Sequence, residues 1–177
     1  DRVAAADPAR VDARINAAVQ HAARRELDQA VAELTALVEE RGELVDARVR
    51  LAILLEASGE RASALGHVRV AAELRPTDAA IAAHLARLLV ITGDIAGSLD
   101  AWQTASALNP GDPQVTRNLG AALWAGMHRD EAIRTWLHGL RRAPDSPQLR
   151  EQVAMAVLLF PPDESWTPLR GLAEAEL

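Results

Sequence analysis

The sequence has 177 residues, 49% of them hydrophobic and 25% charged, with a formal net charge of −6. The acidic balance disfavours nucleic acid as a partner, because a phosphate backbone would be repelled overall. The absence of cysteine excludes disulfides, thiolate metal ligands and cysteine nucleophiles. No apolar run approaches the roughly 18 residues that a membrane-spanning helix needs, so no membrane segment is expected in this stretch.

Residue usage also bears on the source of the chain. All 19 basic residues are Arg, and with the abundant Ala this indicates a GC-rich bacterial genome. We therefore expect a bacterial protein of the cytoplasm or the periplasm. The sequence begins at Asp1 instead of Met, and we interpret it as a fragment or processed form to which an anchor or a further domain could be attached.

Prolines mark a period of 34 residues, which separates Pro76 from Pro110 and Pro110 from Pro144. Within each period, apolar residues recur at spacings of three and four, which predicts two helices joined by a short turn. In chain order, the predicted helices cover 8–24, 27–41, 44–58, 61–74, 78–92, 95–108, 113–126, 129–142 and 147–160. Residues 1–7 are predicted as an N-terminal extension and 161–177 as a tail with a short helix.

Small and bulky residues keep the same period. One bulky column contains Val68, Trp102 and Trp136, and we expect it to lie in the core. Helices joined by a short turn can approach closely only where one side chain is little more than a methyl group. The positions predicted to provide these close contacts are Ala52, Ala64, Ala71, Ala86, Ala105, Ala132 and Gly139.

Turns and helix starts are marked by residue type. Gly93 and Gly126 are expected to end the first helices of the third and fourth pairs, whereas Arg25 stands in place of the turn glycine in the first pair. Asp112-Pro113 and Ser146-Pro147 are typical of an N-cap followed by proline in the first helical position, and Asp7-Pro8 repeats the pattern.

These features together resemble the tetratricopeptide repeat family over about residues 9–160. The motifs that carry the resemblance are Leu119-Gly120, Leu123-Trp124, Asp130-Glu131-Ala132-Ile133, Trp136 and Pro144, with matching residues in the units before. The resemblance implies an all-α solenoid, a right-handed superhelix whose first helices line a concave groove that binds peptides or proteins without catalysis. The units are predicted at about 11–44, 45–78, 79–112 and 113–146, followed by a capping helix at 147–160.

One column of the first helices is polar in every unit, and we predict that it forms a ladder along the groove floor. Its members are Asn16, Arg50, His84, Asn118 and Gln152. Amides and arginine at this spacing could hydrogen-bond the backbone of an extended peptide and hold its carboxylates. The alternative is that the column is a solvated polar face.

An apolar patch is expected beside the ladder. Its members are Trp124, Met155, Leu158 and Leu159, continued upstream by Val90 and Ile91. Such a patch would anchor a bound peptide. The alternative is that the tail covers this surface through Trp166 and Leu169.

The family includes receptors that clamp a C-terminal Asp with Lys, Asn and Arg on successive first helices. The comparable positions here are Ile15, Val19, Arg50, Ala80 and His84, so the resemblance does not extend to that clamp. We still expect that a single acidic group of a partner could contact Arg50, Arg87 or Arg117.

Other functions have little support in the sequence. None of the five histidines forms a metal-binding pair, no phosphate loop or catalytic serine motif is found, and we expect neither cofactor nor metal. We therefore predict a non-catalytic scaffold or adaptor for a protein or peptide partner. Two alternatives stay open: a non-catalytic domain cut from a larger enzyme, such as a transferase or hydroxylase, and a self-assembly module.

Overall fold

The computed structural model describes residues 8–159, and every regular element in this range is an α-helix. The elements, in chain order, are α1 (Pro8–Ala23), α2 (Leu27–Glu40), α3 (Val45–Ala57), α4 (Arg61–Leu74), α5 (Ala79–Thr92), α6 (Ile95–Leu108), α7 (Pro113–Ala125), α8 (Arg129–Arg142) and α9 (Pro147–Leu159). The predicted ends agree to within one residue wherever the structure describes them. Residues 1–7 and 160–177, including Asp7, Trp166 and Leu169, lie outside the described part of the chain.

The chain divides into two compact units, 1–76 and 77–177. In the first, α1 pairs with α2 and α3 with α4, and α2 packs on α3. In the second, α5 pairs with α6 and α7 with α8, α6 packs on α7, and α9 packs on both α7 and α8. The predicted hairpins are confirmed, whereas the predicted limits of the repeats and of the terminal extensions stay predictions.

The cores of the two units use the bulky and small columns as predicted. Val68, Trp102 and Trp136 are no more than 4% exposed. The six alanines at the predicted small positions have no exposed surface; they are Ala52, Ala64, Ala71, Ala86, Ala105 and Ala132. Because a helix has only one apolar stripe, each hairpin gains stability by packing this stripe against its neighbours in the same unit.

Two glycines of the second unit lie directly against side chains of another helix. A methyl group added to Gly120 of α7 would overlap the indole of Trp136 on α8, and one added to Gly139 of α8 would overlap Thr116 on α7. The Trp136 indole also donates a hydrogen bond from Nε1 to the carbonyl of Arg117, at 3.1 Å. The α7–α8 hairpin is therefore held at a separation that tolerates no side chain at these two points.

The four hairpin turns share one backbone geometry, repeated every 34 residues. Their left-handed residues are Arg25, Gly59, Gly93 and Met127, with φ between 63° and 88°. In each turn the next N–H bonds back five residues to the preceding helix, as from Asp94 to the Leu89 carbonyl and from His128 to the Leu123 carbonyl. This is the hydrogen bond of a Schellman motif, and it satisfies a carbonyl that the helix end leaves unpaired.

Gly126 ends α7 as predicted, but it is not the left-handed residue of the fourth turn. Gly126 has φ −78°, and the left-handed conformation falls on Met127, one residue later. Met127 stands 34 residues after Gly93, so the left-handed position keeps the 34-residue period. The glycine of this turn lies one residue before that position. A non-glycine residue in this conformation costs about 1–2 kcal/mol.

Aspartate and serine cap helices where the sequence predicts. The Asp112 carboxylate accepts hydrogen bonds from the N–H groups of Gln114 and Val115, at 2.8 and 3.4 Å. Ser146 Oγ accepts one from the Leu149 N–H, at 3.4 Å. Asp78 caps α5 in the same way, at 3.0 and 3.2 Å. Each cap fixes the residue at which a first helix of the second unit begins.

A pair of Gly→Ala substitutions tests the close approach of α7 and α8. We expect Gly120→Ala to lower the free energy of unfolding by about 1–2 kcal/mol, since overpacking outweighs the gain in helix propensity. Gly66→Ala, in α4, places its methyl group in open space and should raise that free energy by up to about 1 kcal/mol. Urea unfolding measures both, and equal effects of the two substitutions would contradict the proposed packing.

The left-handed conformation of Met127 should lower the stability of the chain. Met127 is 67% exposed, so its side chain contributes little packing. We expect Met127→Gly to raise the free energy of unfolding by about 0.5–1 kcal/mol, because relief of backbone strain exceeds the added chain entropy of glycine. Met127→Ala keeps the strain while removing the side chain, and should change the urea midpoint little. A Gly variant no more stable than the Ala variant would argue against strain at this turn.

Candidate functional site

A groove of about 330 Å³ lies on α5, α6 and α7 of the second unit, and we call it the α5–α7 groove. Its apolar surface comes from Val90, Ile91, Ile95, Trp102, Ala121 and Ala125. Its polar lining is Arg87, Arg117 and Asn118. Val90 and Ile91 are each 42% exposed. The groove thus combines an apolar floor with cationic and amide groups.

Arg117 is the most constrained polar residue of this groove. Its carbonyl accepts the hydrogen bond from Trp136, and its side chain is half-buried. Within residues 8–159, its Nε atom is buried and has no hydrogen-bond partner. A buried donor without an acceptor costs free energy.

A second groove, of about 300 Å³, lies on α7, α8 and α9, and we call it the α7–α9 groove. The residues that define it are Trp124, Trp136, Glu151, Gln152, Met155 and Leu159. The rings of Trp124 and Trp136 are tilted by 32°, with centroids 5.7 Å apart, an arrangement favourable for aromatic pairs. Trp124 therefore both lines the groove and supports the core tryptophan behind it.

The first unit has a smaller groove of about 180 Å³ on α1, α2 and α3, the α1–α3 groove. It contains Arg50 together with exposed Val19 and Ile53. Arg50 is the one member of the predicted ladder that lines it, as far as the described residues show.

The structure brings the predicted site residues together in small groups within each unit. Arg87, Arg117 and Asn118 share the α5–α7 groove. Trp124, Gln152 and Met155 share the α7–α9 groove, and Leu159 joins them there. Two members of the ladder fall outside the three grooves as the described residues define them: Asn16, exposed on α1, and His84, half-buried on α5. Leu158 is 77% exposed and also lies outside their lining.

Sequence analysis named Val19, Arg87 and Met155 singly, but it did not recognise the column that they form three residues after the ladder. Its members are Val19, Ile53, Arg87, Ala121 and Met155, and all five are exposed on first helices and line grooves. The 34-residue step that defines the ladder also defines this column, so the signal was present. It was overlooked because the column mixes apolar, cationic and small residues.

The described residues were compared with the needs of metal binding and of membrane crossing by their geometry alone: clustered ligands for the first, a long apolar helix for the second. Among residues 8–159, no group of three or more His, Asp or Glu side chains is placed to hold a metal ion. None of the described helices combines the length and apolar character that crossing a bilayer requires.

Comparison with solved structures identifies the fold. MamA from Desulfovibrio magneticus RS-1, residues 41 to the end, aligns with a TM-score of 0.77 and 13% identity over 94% of this chain and 90% of that one. YrrB, described as a TPR protein with an unusual peptide-binding site, aligns with a TM-score of 0.74 and 18% identity over 92% and 80%. The chain has the tetratricopeptide repeat fold.

A third tetratricopeptide repeat protein, PilF of Pseudomonas aeruginosa, aligns with a TM-score of 0.69 and 21% identity over 92% of this chain and 72% of that one. No family model matches the sequence, and no curated protein matches it. The predicted resemblance to tetratricopeptide repeats is thus confirmed at the level of the fold, and the groove residues have to be assessed by their own geometry.

Two residues of the α7–α9 groove should respond differently to truncation. Trp124→Ala removes the ring that supports Trp136, and we expect a loss of about 1–3 kcal/mol in the free energy of unfolding. Met155 is 46% exposed, so Met155→Ala should change the free energy of unfolding by less than about 0.5 kcal/mol. Chemical denaturation followed by circular dichroism measures both, and a Met155 variant as unstable as the Trp124 variant would show that Met155 belongs to the core.

Proposed function

We propose that this tetratricopeptide repeat chain is a non-catalytic scaffold that binds a partner peptide or protein segment along the grooves of its first helices. The observation that carries the proposal is the α5–α7 groove, whose exposed apolar floor lies beside two arginines and an asparagine. Apolar surface supplies affinity for anchoring side chains, and polar groups fix the register of the bound segment. Its volume of about 330 Å³ suits side chains of a peptide.

The chemistry of the lining supports binding and gives no support to catalysis. Among the described residues, the α5–α7 groove is lined by Arg, Asn, Trp and aliphatic side chains, which include no hydroxyl, thiol or carboxylate nucleophile. The structural neighbour YrrB is described as having a peptide-binding site, which favours the same use of this fold.

Within this proposal, the polar ladder supplies the contacts to the peptide backbone. Asn118 and Gln152 line grooves of the second unit, and Arg50 lines the groove of the first. Amide side chains can donate and accept at once, as an extended backbone requires. Asn16 and His84 are proposed contacts at the same register positions, outside the grooves.

Selection from a random peptide library displayed on phage, with the full chain as the target, tests the proposal. We expect the selected peptides to bind wild-type protein, and Ala121→Trp to weaken their binding at least about tenfold, because the indole would fill the groove. Ala62→Trp, at an exposed position of α4, is the matched control and should leave binding unchanged. Selected peptides that bind the Ala121→Trp variant as tightly as the wild type would refute binding in this groove.

A double substitution tests the ladder. We expect Arg50→Ala with Asn118→Ala to weaken binding of the selected peptides roughly 3- to 30-fold, as loss of one or two hydrogen bonds would. The melting temperature should stay unchanged, since both side chains lie outside the core. Fluorescence anisotropy and thermal melts measure the two effects. Undiminished affinity would mean that the ladder is a solvated surface.

A further inference from the structure

A further groove of the second unit, of about 300 Å³, lies on α6, α7 and α8, and we call it the α6–α8 groove. It shares no lining residue with the α5–α7 or the α7–α9 groove. Its lining includes no carboxylate among the described residues. Its polar members are three hydroxyl and three basic residues: Ser106, Thr116, Thr135, Arg134, His138 and Arg142.

The three basic side chains form a stripe along α8. Arg134, His138 and Arg142 follow one another at intervals of four residues, which places them on one face of the helix. All three are exposed, and within residues 8–159 no ion pair or hydrogen bond joins their side chains to a neighbour. The negative end of the helix dipole accounts for Arg142 in the last turn, but not for Arg134 in the first half of the helix.

Two hydroxyl groups of the groove are not used by the helices that carry them. Thr104 and Thr116 donate to the carbonyl four residues earlier, at 2.9 and 3.1 Å, as helical hydroxyls can do. By contrast, the side chains of Ser106 on α6 and Thr135 on α8 form no hydrogen bond with any described residue, although both residues are half-buried. Both hydroxyl groups are therefore available to a ligand.

The polar lining of this groove is not a requirement of the repeat. One 34-residue step earlier, the counterparts of its three hydroxyl residues are all alanine: Ala72, Ala82 and Ala101. The counterparts of the basic stripe are Asp100, Thr104 and Leu108. Since a repeat of the same fold is built without hydroxyl groups or positive charge at these positions, packing alone does not explain why six of them carry hydrogen-bond donors here.

We propose that the α6–α8 groove binds the phosphoryl group of a phosphate monoester. Such a group carries a charge of about −1.5 to −2 at pH 7 and three strong acceptor oxygens. The guanidinium groups of Arg134 and Arg142 supply the compensating charge, and each can donate two parallel hydrogen bonds. The hydroxyls of Ser106 and Thr135 supply further donors, and so does a ring nitrogen of His138.

A carboxylate fits this set of donors less well, because it has a single charge and two oxygens, for which one guanidinium suffices. The net charge of −6 does not oppose binding here, since charges more than about 8 Å away are largely screened at physiological ionic strength. The inference goes beyond the proposed function, because this site takes a different ligand in a different groove from the proposed peptide site.

An NMR titration of the full chain tests the site. The probes are a blocked pentapeptide with phosphoserine between two pairs of alanines, the same peptide with Glu or Ser at the centre, and inorganic phosphate, all at constant ionic strength. We expect the phosphoserine peptide to bind at least about tenfold more tightly than the Glu peptide, and the Ser peptide to bind weakest. Amide shifts should cluster around Ser106, Thr135 and His138.

Inorganic phosphate distinguishes the sources of the phosphoryl group. Tighter binding of the phosphoserine peptide supports a phosphorylated segment of a partner, whereas tighter binding of inorganic phosphate supports a small phosphate ester. Phosphoserine and Glu peptides of equal affinity, or shifts that map outside the α6–α8 groove, would overturn the proposal.

Variants assign the binding to the groove. Arg134→Gln and Arg142→Gln should each weaken binding of the phosphoserine peptide about three- to tenfold, and Ser106→Ala with Thr135→Ala should do the same. The alanines restore the residue type of the preceding repeat, so the melting temperature should change little. Arg61→Gln, an exposed substitution on α4 with the same change in charge, is the control and should leave affinity unchanged. Full affinity in both groove arginine variants would refute the assignment.

The Ala121→Trp variant separates this inference from the proposed function. Its indole would fill the α5–α7 groove, whereas position 121 lies outside the lining of the α6–α8 groove, so phosphoserine binding should persist. Loss of phosphoserine binding in this variant would place the phosphoryl group in the wrong groove for the proposal. Phosphate probes that fail to bind would refute this inference alone, and phage-selected peptides that ignore the Ala121→Trp change would refute the proposed function alone.

Discussion

The geometry of the second unit depends on the contact between the Trp136 indole and the backbone of α7. The indole occupies the space that a side chain at position 120 would need, and its nitrogen bonds to the carbonyl of Arg117. Helix α7 is therefore positioned by α8. Since α7 provides walls to both the α5–α7 and the α7–α9 grooves, the shapes of both depend on this contact, whose two residues, Arg117 and Trp136, line one groove each.

The helices were predictable from sequence because three independent signals agree at their ends. Asp112 and Ser146 mark helix starts, prolines follow the second helices, and the 34-residue step reproduces both in successive pairs. In the fourth turn, the left-handed conformation follows the register and not the residue type. Glycine is the usual left-handed residue, yet the 34-residue step from Gly59 and Gly93 leads to Met127, one residue after Gly126.

The site was predictable only in part, for a physical reason. Periodicity predicts which residues share a face of a helix, and it placed Asn118, Trp124 and Gln152 on the exposed faces where grooves are found. A groove, however, is defined by the spacing of neighbouring helices and by the side chains left between them. Ile95 of α6 and Ala125 of α7 contribute to the α5–α7 groove through packing that no single-helix pattern encodes. Similarly, the burial of the Arg117 Nε atom depends on the residues packed around it, which a sequence pattern does not show.

The left-handed Met127 makes the two hairpins of the second unit unequal. The α5–α6 turn uses Gly93 without penalty, whereas the α7–α8 turn retains strain of about 1–2 kcal/mol. Local opening releases this strain, so backbone amides near the Met127 turn should exchange with solvent roughly tenfold faster than their counterparts near Gly93, other contributions being equal. Fraying would then begin beside Trp124 and Ala125, and the α7–α9 and α5–α7 grooves that these residues line would both widen transiently.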